Sequence, residues 1–87
     1  MGEATMETIG QIDGYFAHPS VAKVDLTAPL KIGDTIYIKG HTTDFQQIVE
    51  SMQVDHQPVQ EARPGQSVGL KVKDRCRKCD AVYRLVP

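Results

Sequence analysis

The residues best equipped for chemistry are two cysteines three apart, Cys76 and Cys79, in the run Arg75-Cys76-Arg77-Lys78-Cys79-Asp80. A Cys-x2-Cys pair supplies half of a tetrahedral zinc site and needs two further ligands. The chain has no second cysteine pair, and His18, His41 and His56 are scattered. A complete site would need two of them to converge, or a second subunit. The same spacing serves thiol–disulfide exchange when the first thiol sits at a helix start after a strand; here strands are expected on both sides. The flanking Arg75, Arg77 and Lys78 favour thiolate and would lower both thiol pKa values. The third reading is a pair of reduced thiols in a turn, in a reducing compartment. No cofactor is expected, zinc at Cys76 and Cys79 being the one metal left open.

The second group is electrostatic: Lys71, Lys73, Arg75, Arg77, Lys78 and Arg84. Residues 1–65 carry four basic and nine acidic side chains, net −5, whereas residues 66–87 carry six basic and two acidic, net +4. Lys71, Lys73 and Arg75 share parity and would project from one strand face. Such a row attracts phosphates in a salt-dependent way. RNA-reading modules usually add exposed aromatic rings, and only Tyr37 and Tyr83 are at hand. A solvated strand face accounts for the same charges. The remaining polar residues offer less. Ser20, Ser51 and Ser67 have no histidine and carboxylate arranged as a nucleophile–base set requires. Asp25, Asp34, Asp44 and Asp55 fall in turns or on polar faces. His18 falls in a turn and His41 in a loop, while His56 shares the parity of Met52 and Val54 and is expected to cap the core. No catalytic residue can be named, and the chain is expected not to be an enzyme on its own.

The elements that must position these residues are strands. The chain has 87 residues, 40% hydrophobic and 24% charged, with no Trp, three Tyr and two Phe, so aliphatic side chains must form the core. No apolar run approaches the ~18 residues of a membrane span, and the acidic N-terminus lacks a signal-peptide core. A soluble, cytoplasmic protein without membrane partner is expected. Turn signals recur at short intervals: Gly14, Pro19, Pro29, Gly33-Asp34, Gly40, Pro58, Pro64-Gly65 and residues 78–80. Between them lie β-branched runs at 7–16, 21–27, 35–39, 45–56, 68–72 and 81–86, the pattern of an all-β barrel or sandwich. Ile9 and Ile12 break alternation beside Gly10, which predicts a bulge there. Ile48 and Val49 are adjacent, which predicts a bulge or sharp bend. Phe45, Ile48, Val49 and Met52 also fit a helical period, but alternation continues to Val54 and favours a strand. Residues 29–34 read as a connection and 58–65 as a loop. A closed sheet has no exposed edges, so the spacing predicts one small closed six-stranded antiparallel β-barrel over residues 7–87, behind a flexible tail at 1–6.

Leu30-Lys31-Ile32-Gly33-Asp34 followed by Ile36-Tyr37-Ile38-Lys39-Gly40 resembles the hairpin in domain 2 of elongation factor Tu-type translational GTPases. Ala62-Arg63-Pro64-Gly65-Gln66-Ser67-Val68-Gly69-Leu70 resembles that domain's later Ala-x-x-Gly-x-x-Val-Gly segment, and Ile9-Gly10-x-Ile12 its first strand. The similarity spans about residues 7–86 and is nearest to stand-alone translation elongation factor-like proteins. It implies a domain 2-type β-barrel and a non-catalytic binding or adaptor role, with RNA, the ribosome or a translation-related protein as partner. The residues for that contact would be Lys71, Lys73, Arg75, Arg77, Lys78 and Arg84. Cys79 stands where the family usually has glycine. The phosphate-binding Gly-x-x-x-x-Gly-Lys-Ser/Thr loop of the GTPase is missing, so GTP is not expected as a ligand. The alternatives are a zinc- or thiol-bearing accessory protein using Cys76 and Cys79, or a barrel subunit of a larger enzyme.

Overall fold

Alternating apolar residues drive the backbone into strands wherever the sequence shows that period. The computed structural model describes residues 5–17 and 20–86; the turn expected at His18-Pro19 lies outside them. Ten strands follow in order: β1 (Thr5–Phe16), β2 (Val21–Leu26), β3 (Leu30–Lys31), β4 (Thr35–Lys39), β5 (Asp44–Ile48), β6 (Met52–Val54), β7 (Gln57–Val59), β8 (Glu61–Ala62), β9 (Ser67–Lys71) and β10 (Ala81–Val86). Eight of them form an antiparallel sheet in the order β5-β4-β10-β1-β2-β9-β6-β7, and β3 pairs with β8. The fold is all-β, as expected. The ladders trace a sheet with two ends, β5 and β7, rather than the closed six-stranded ring. Three of the added strands come from residues 30–31, 57–59 and 61–62, read as connections. Pro58 fits a strand because β7 is an edge, where a missing donor costs no ladder bond.

The core is aliphatic. Ile9, Ile12, Ala22, Val24, Ile36, Ile38 and Val82 are wholly buried, with Leu70 and Met52 almost so. The β1–β10 register shifts between Thr8 and Gly10, which turns both Ile9 and Ile12 inward and realises the expected bulge. A methyl group on Gly10 would overlap the Asp25 carbonyl, so the close approach of β2 requires glycine there. Of the residues expected in a flexible tail at 1–6, Thr5 and Met6 pair with Val86 and Leu85; residues 1–4 lie outside the described residues.

Residues 44–54 run as strand, kink, strand. β5 pairs with β4, whereas β6 pairs with β9 and β7. Between them Val49 is buried, donates its N–H to Asp34 O (2.8 Å) and accepts from Gly33 N (2.9 Å). This is the bend that the adjacent Ile48 and Val49 signal. Gln47 completes the junction. Its Nε2 donates to Lys71 O and its Oε1 accepts from Lys73 N, both at 2.8 Å. The carboxamide thus substitutes for a peptide group between β5 and the end of β9. The β6–β7 hairpin turns on Asp55 and His56, at φ 53° and 63°. His56 is exposed and does not cap the core as expected, because the two-residue turn lifts it off the strand.

Gln47→Ala should lower stability by about 1 kcal/mol, since it removes two exposed hydrogen bonds at the kink. Gln47→Glu should cost at least as much, because a carboxylate cannot donate to Lys71 O; urea unfolding reads both. Replacing Asp55-His56 by Asn-Gly, which tolerates left-handed φ in a two-residue hairpin turn, should raise the melting temperature by about 4–8 °C per kcal/mol gained.

Candidate functional site

The loop from Val72 to Asp80 carries most of the residues singled out by sequence. It leaves β9 at Lys71 and enters β10 at Ala81. The strand ends at Lys71, so Lys73 and Arg75 lie on the loop and do not extend a strand-face row. Lys71, Lys73, Arg75, Arg77 and Lys78 are all exposed. Among the described residues none of the five forms an ion pair; those present are Lys23–Asp13, Arg84–Glu7 and Arg84–Asp34. Arg84 therefore separates from the group. It lies on β10, reaches Glu7 at 3.4 Å and Asp34 at 3.7 Å, and donates to Pro29 O. It ties together three segments of the fold.

The two cysteines part company. Cys76 is buried and its thiol lies 3.8 Å from Asp74 O; Cys79 is exposed. Burial, then the carboxylates of Asp80 and Asp74, push the Cys76 thiol up to about 12. The expectation that neighbouring cations would lower it is overturned, because those cations point to solvent while the sulfur points to the core. The thiols are free. Among the described residues no three His, Cys, Asp or Glu side chains come together as a metal site. His41 is exposed in the loop before β5. The Ser20 and Ser67 hydroxyls engage Tyr15 and Asp25, not a histidine.

The loop is instead built for shape. Asp80 is buried and its carboxylate accepts from Arg77 N (2.9 Å). Its backbone accepts from Ile12 N (2.8 Å), and Cys79 N donates to Ile12 O (2.7 Å). Gly40 lies so close that a methyl group there would overlap the Asp80 carboxylate. Cys79 adopts φ 75°, the left-handed conformation natural to glycine. The turn is held by the bonds to β1 at the expense of backbone strain.

Two other features were not read from sequence. An open groove of about 1140 Å³ lies between the β3–β8 pair and the β6–β7 hairpin, lined by Lys31, Ile32, Glu50, Ser51, Met52, Gln53, Pro58, Val59, Gln60 and Glu61. Two of its walls, at Lys31-Ile32 and residues 58–61, come from segments read as a connection and a loop; the third, residues 50–53, belongs to the run read as a strand. In addition, Tyr37 and Tyr83 face each other across β4 and β10 with ring centroids 6.4 Å apart. The Tyr37 hydroxyl donates to Asp44, which, as the leading cause, raises the phenol above its ordinary range.

Comparison with known proteins places this geometry. No family model matches the chain. A Methanocaldococcus jannaschii protein named as an uncharacterized protease is 42% identical over 78 residues, covering 88% of this chain and 19% of that protein. A Porphyromonas gingivalis protein named collagenase is 36% identical over 78 residues, covering 87% of this chain and 22% of that protein. The chain thus spans about a fifth of the length of the curated relatives it matches. Two crystal structures of the C-terminal domain of a Geobacillus thermoleovorans protein described as a U32 peptidase superpose on it. They have TM-scores of 0.83 and 0.84 at 25% identity, covering 87% and 90% of this chain and 96% and 91% of theirs.

These similarities overturn the resemblance to translation-factor domain 2. With it go the adaptor role in translation and the RNA-binding and protein-biosynthesis assignments drawn from it. The physical reason lies in the motifs themselves. Gly33 and Gly65, the anchors of both segments, have φ of 95° and 90°. They are demanded by tight turns between short strands, which unrelated β-domains share. Among the described residues no helix is long and apolar enough to cross a membrane.

Cys79→Gly should stabilise the chain by about 0.5–1 kcal/mol by releasing left-handed strain, seen as a higher urea midpoint. At pH 8, iodoacetamide should alkylate Cys79 and spare Cys76 in the folded protein, and label both in urea. Because folding raises the Cys76 pKa from 9.0 to about 12, its contribution to stability is whole below pH 9 and falls as pH rises toward 12. Cys76→Ala should flatten that part of the profile.

Proposed function

We propose that this chain acts as the accessory β-domain of a U32-type peptidase, engaging a separate catalytic body and carrying no hydrolytic centre of its own. The observation that supports this most is the superposition on an isolated C-terminal domain of such a protein, nearly end to end. The curated relatives are named protease and collagenase and are matched over one comparable segment each. A domain of this size with no nucleophile–base pair among its described residues contributes by docking, positioning or substrate capture, effects that reach the reaction through binding energy. This reading corresponds to the barrel subunit of a larger enzyme considered above.

We further infer that β1, β2, β4, the run β5–β6, β9 and β10 work as one closed six-stranded barrel. The ladders of β5 to β4 and of β6 to β9 support it, the covalent kink between β5 and β6 completing the ring.

The test is a chimera in which this chain replaces the matched 78 residues of the Porphyromonas gingivalis collagenase. Hydrolysis of denatured collagen should stay within about tenfold of the parent's kcat/KM and exceed that of the protein with the segment deleted. The chain alone should cleave nothing. A chimera no better than the deletion, or cleavage by the isolated chain, would refute the proposal.

A further inference from the structure

The outward face of the β1-β10-β4-β5 half of the sheet differs from that of β2 and β9. Strand register lines up two rows across it. The Thr8–Tyr83, Tyr83–Tyr37 and Tyr37–Gln46 pairs make one row. The Met6–Leu85 and Thr35–Ile48 pairs make the next, two residues along, with Leu85 and Thr35 one step past the Arg84–Ile36 pair. Neither row contains a charged residue. Met6 and Ile48 are 54% and 56% exposed, although both are large and apolar. On the other side of β1, the outward positions of β2 and β9 carry Lys23, Asp25 and Lys71, as a wetted strand face should.

The patch has the anatomy of an interface. Its centre is aromatic and aliphatic, and Lys39 and Asp44 pair at its margin, where interfaces keep their charges. Tyr37 is fixed by its bond to Asp44 and its contact with Tyr83, so its ring loses little freedom on contact, as anchoring residues do. Four strands about 4.8 Å apart and two rows of side chains cover about 300 Å², matching the smaller contacts between domains of one protein, about 600 Å² counted over both sides.

We propose that this face is the docking surface for the catalytic body of the peptidase, a reading that rests on the accessory role above. Two facts select that occupant. About four fifths of the length of the curated relatives lies outside the matched segment. In the Geobacillus protein the superposed domain is C-terminal, so the rest of that protein precedes it and enters where β1 begins. Met6 stands at that entry, on the uncharged face. The contact is apolar and aromatic on this side, and it calls for an equally uncharged partner patch; the cationic loop at 71–78 stays in water.

Hydroxyl-radical footprinting of the isolated chain and of the collagenase chimera decides it. Met6, Tyr37 and Tyr83 should react several-fold more slowly in the chimera, while Phe16, exposed at the far end of β1, should react equally in both. Ile48→Glu should melt like the parent in the isolated chain and restore reactivity at Met6 and Tyr83 in the chimera. If the chimera does not fold, the same footprint is read on the isolated chain mixed with the collagenase lacking its matched segment. Equal reactivity at Met6, Tyr37 and Tyr83 with and without the body overturns the proposal. So does protection that already appears in the isolated chain and grows with its concentration, which marks a second copy as the occupant. Collagen hydrolysis reports on the accessory role separately: an active chimera with an unprotected face defeats the docking surface alone, and a chimera no better than the deletion defeats the role itself.

Discussion

One stretch of chain, residues 44–54, has to serve two neighbours at once. Its first half pairs with β4 and its second with β9, so it must turn sharply without leaving backbone groups unbonded inside. Val49 does this by exchanging hydrogen bonds with Gly33 and Asp34 while burying its side chain. Gln47 satisfies the end of β9 with its carboxamide, where no ladder partner reaches. The aliphatic interior depends on that junction, because Ile36, Leu70 and Met52 approach it from different strands.

The remaining tight spots obey the same economy of space. Gly10 lets β2 approach, Gly40 makes room for the Asp80 carboxylate, and Gly33 and Gly65 turn the chain in a conformation closed to most side chains. Cys79 occupies such a conformation without being glycine. It is held there by its bond to Ile12 O and by the neighbouring Asp80–Ile12 bond. The cysteine pair is thus explained as part of a turn anchored on β1, with one sulfur facing the core and the other facing water.

Function follows from what the fold leaves uncovered. A sheet that buries one face must present the other to water or to a partner, and side-chain composition separates the two cases. The charged outward positions of β2 and β9 suit water. The Met6, Tyr37, Tyr83 and Ile48 positions do not, and the catalytic body proposed above is the partner that would cover them.

The amino-acid order alone determined the strands at 21–27 (observed as Val21–Leu26), 35–39 and 81–86, the bulge at Gly10, the bend at Ile48-Val49 and the aliphatic core. These are legible because alternation and glycine placement are local properties, written every second residue. The short strands around 30–31 and 57–62 were not, since two or three residues carry no period and exist as strands only because a partner lies beside them. Nor could the order of residues show that Cys76 faces the core, that Arg84 clasps Glu7 and Asp34, or that four strands line up an uncharged face. Register between strands distant in sequence decides each of these, and register is fixed only when the strands pack together over their core.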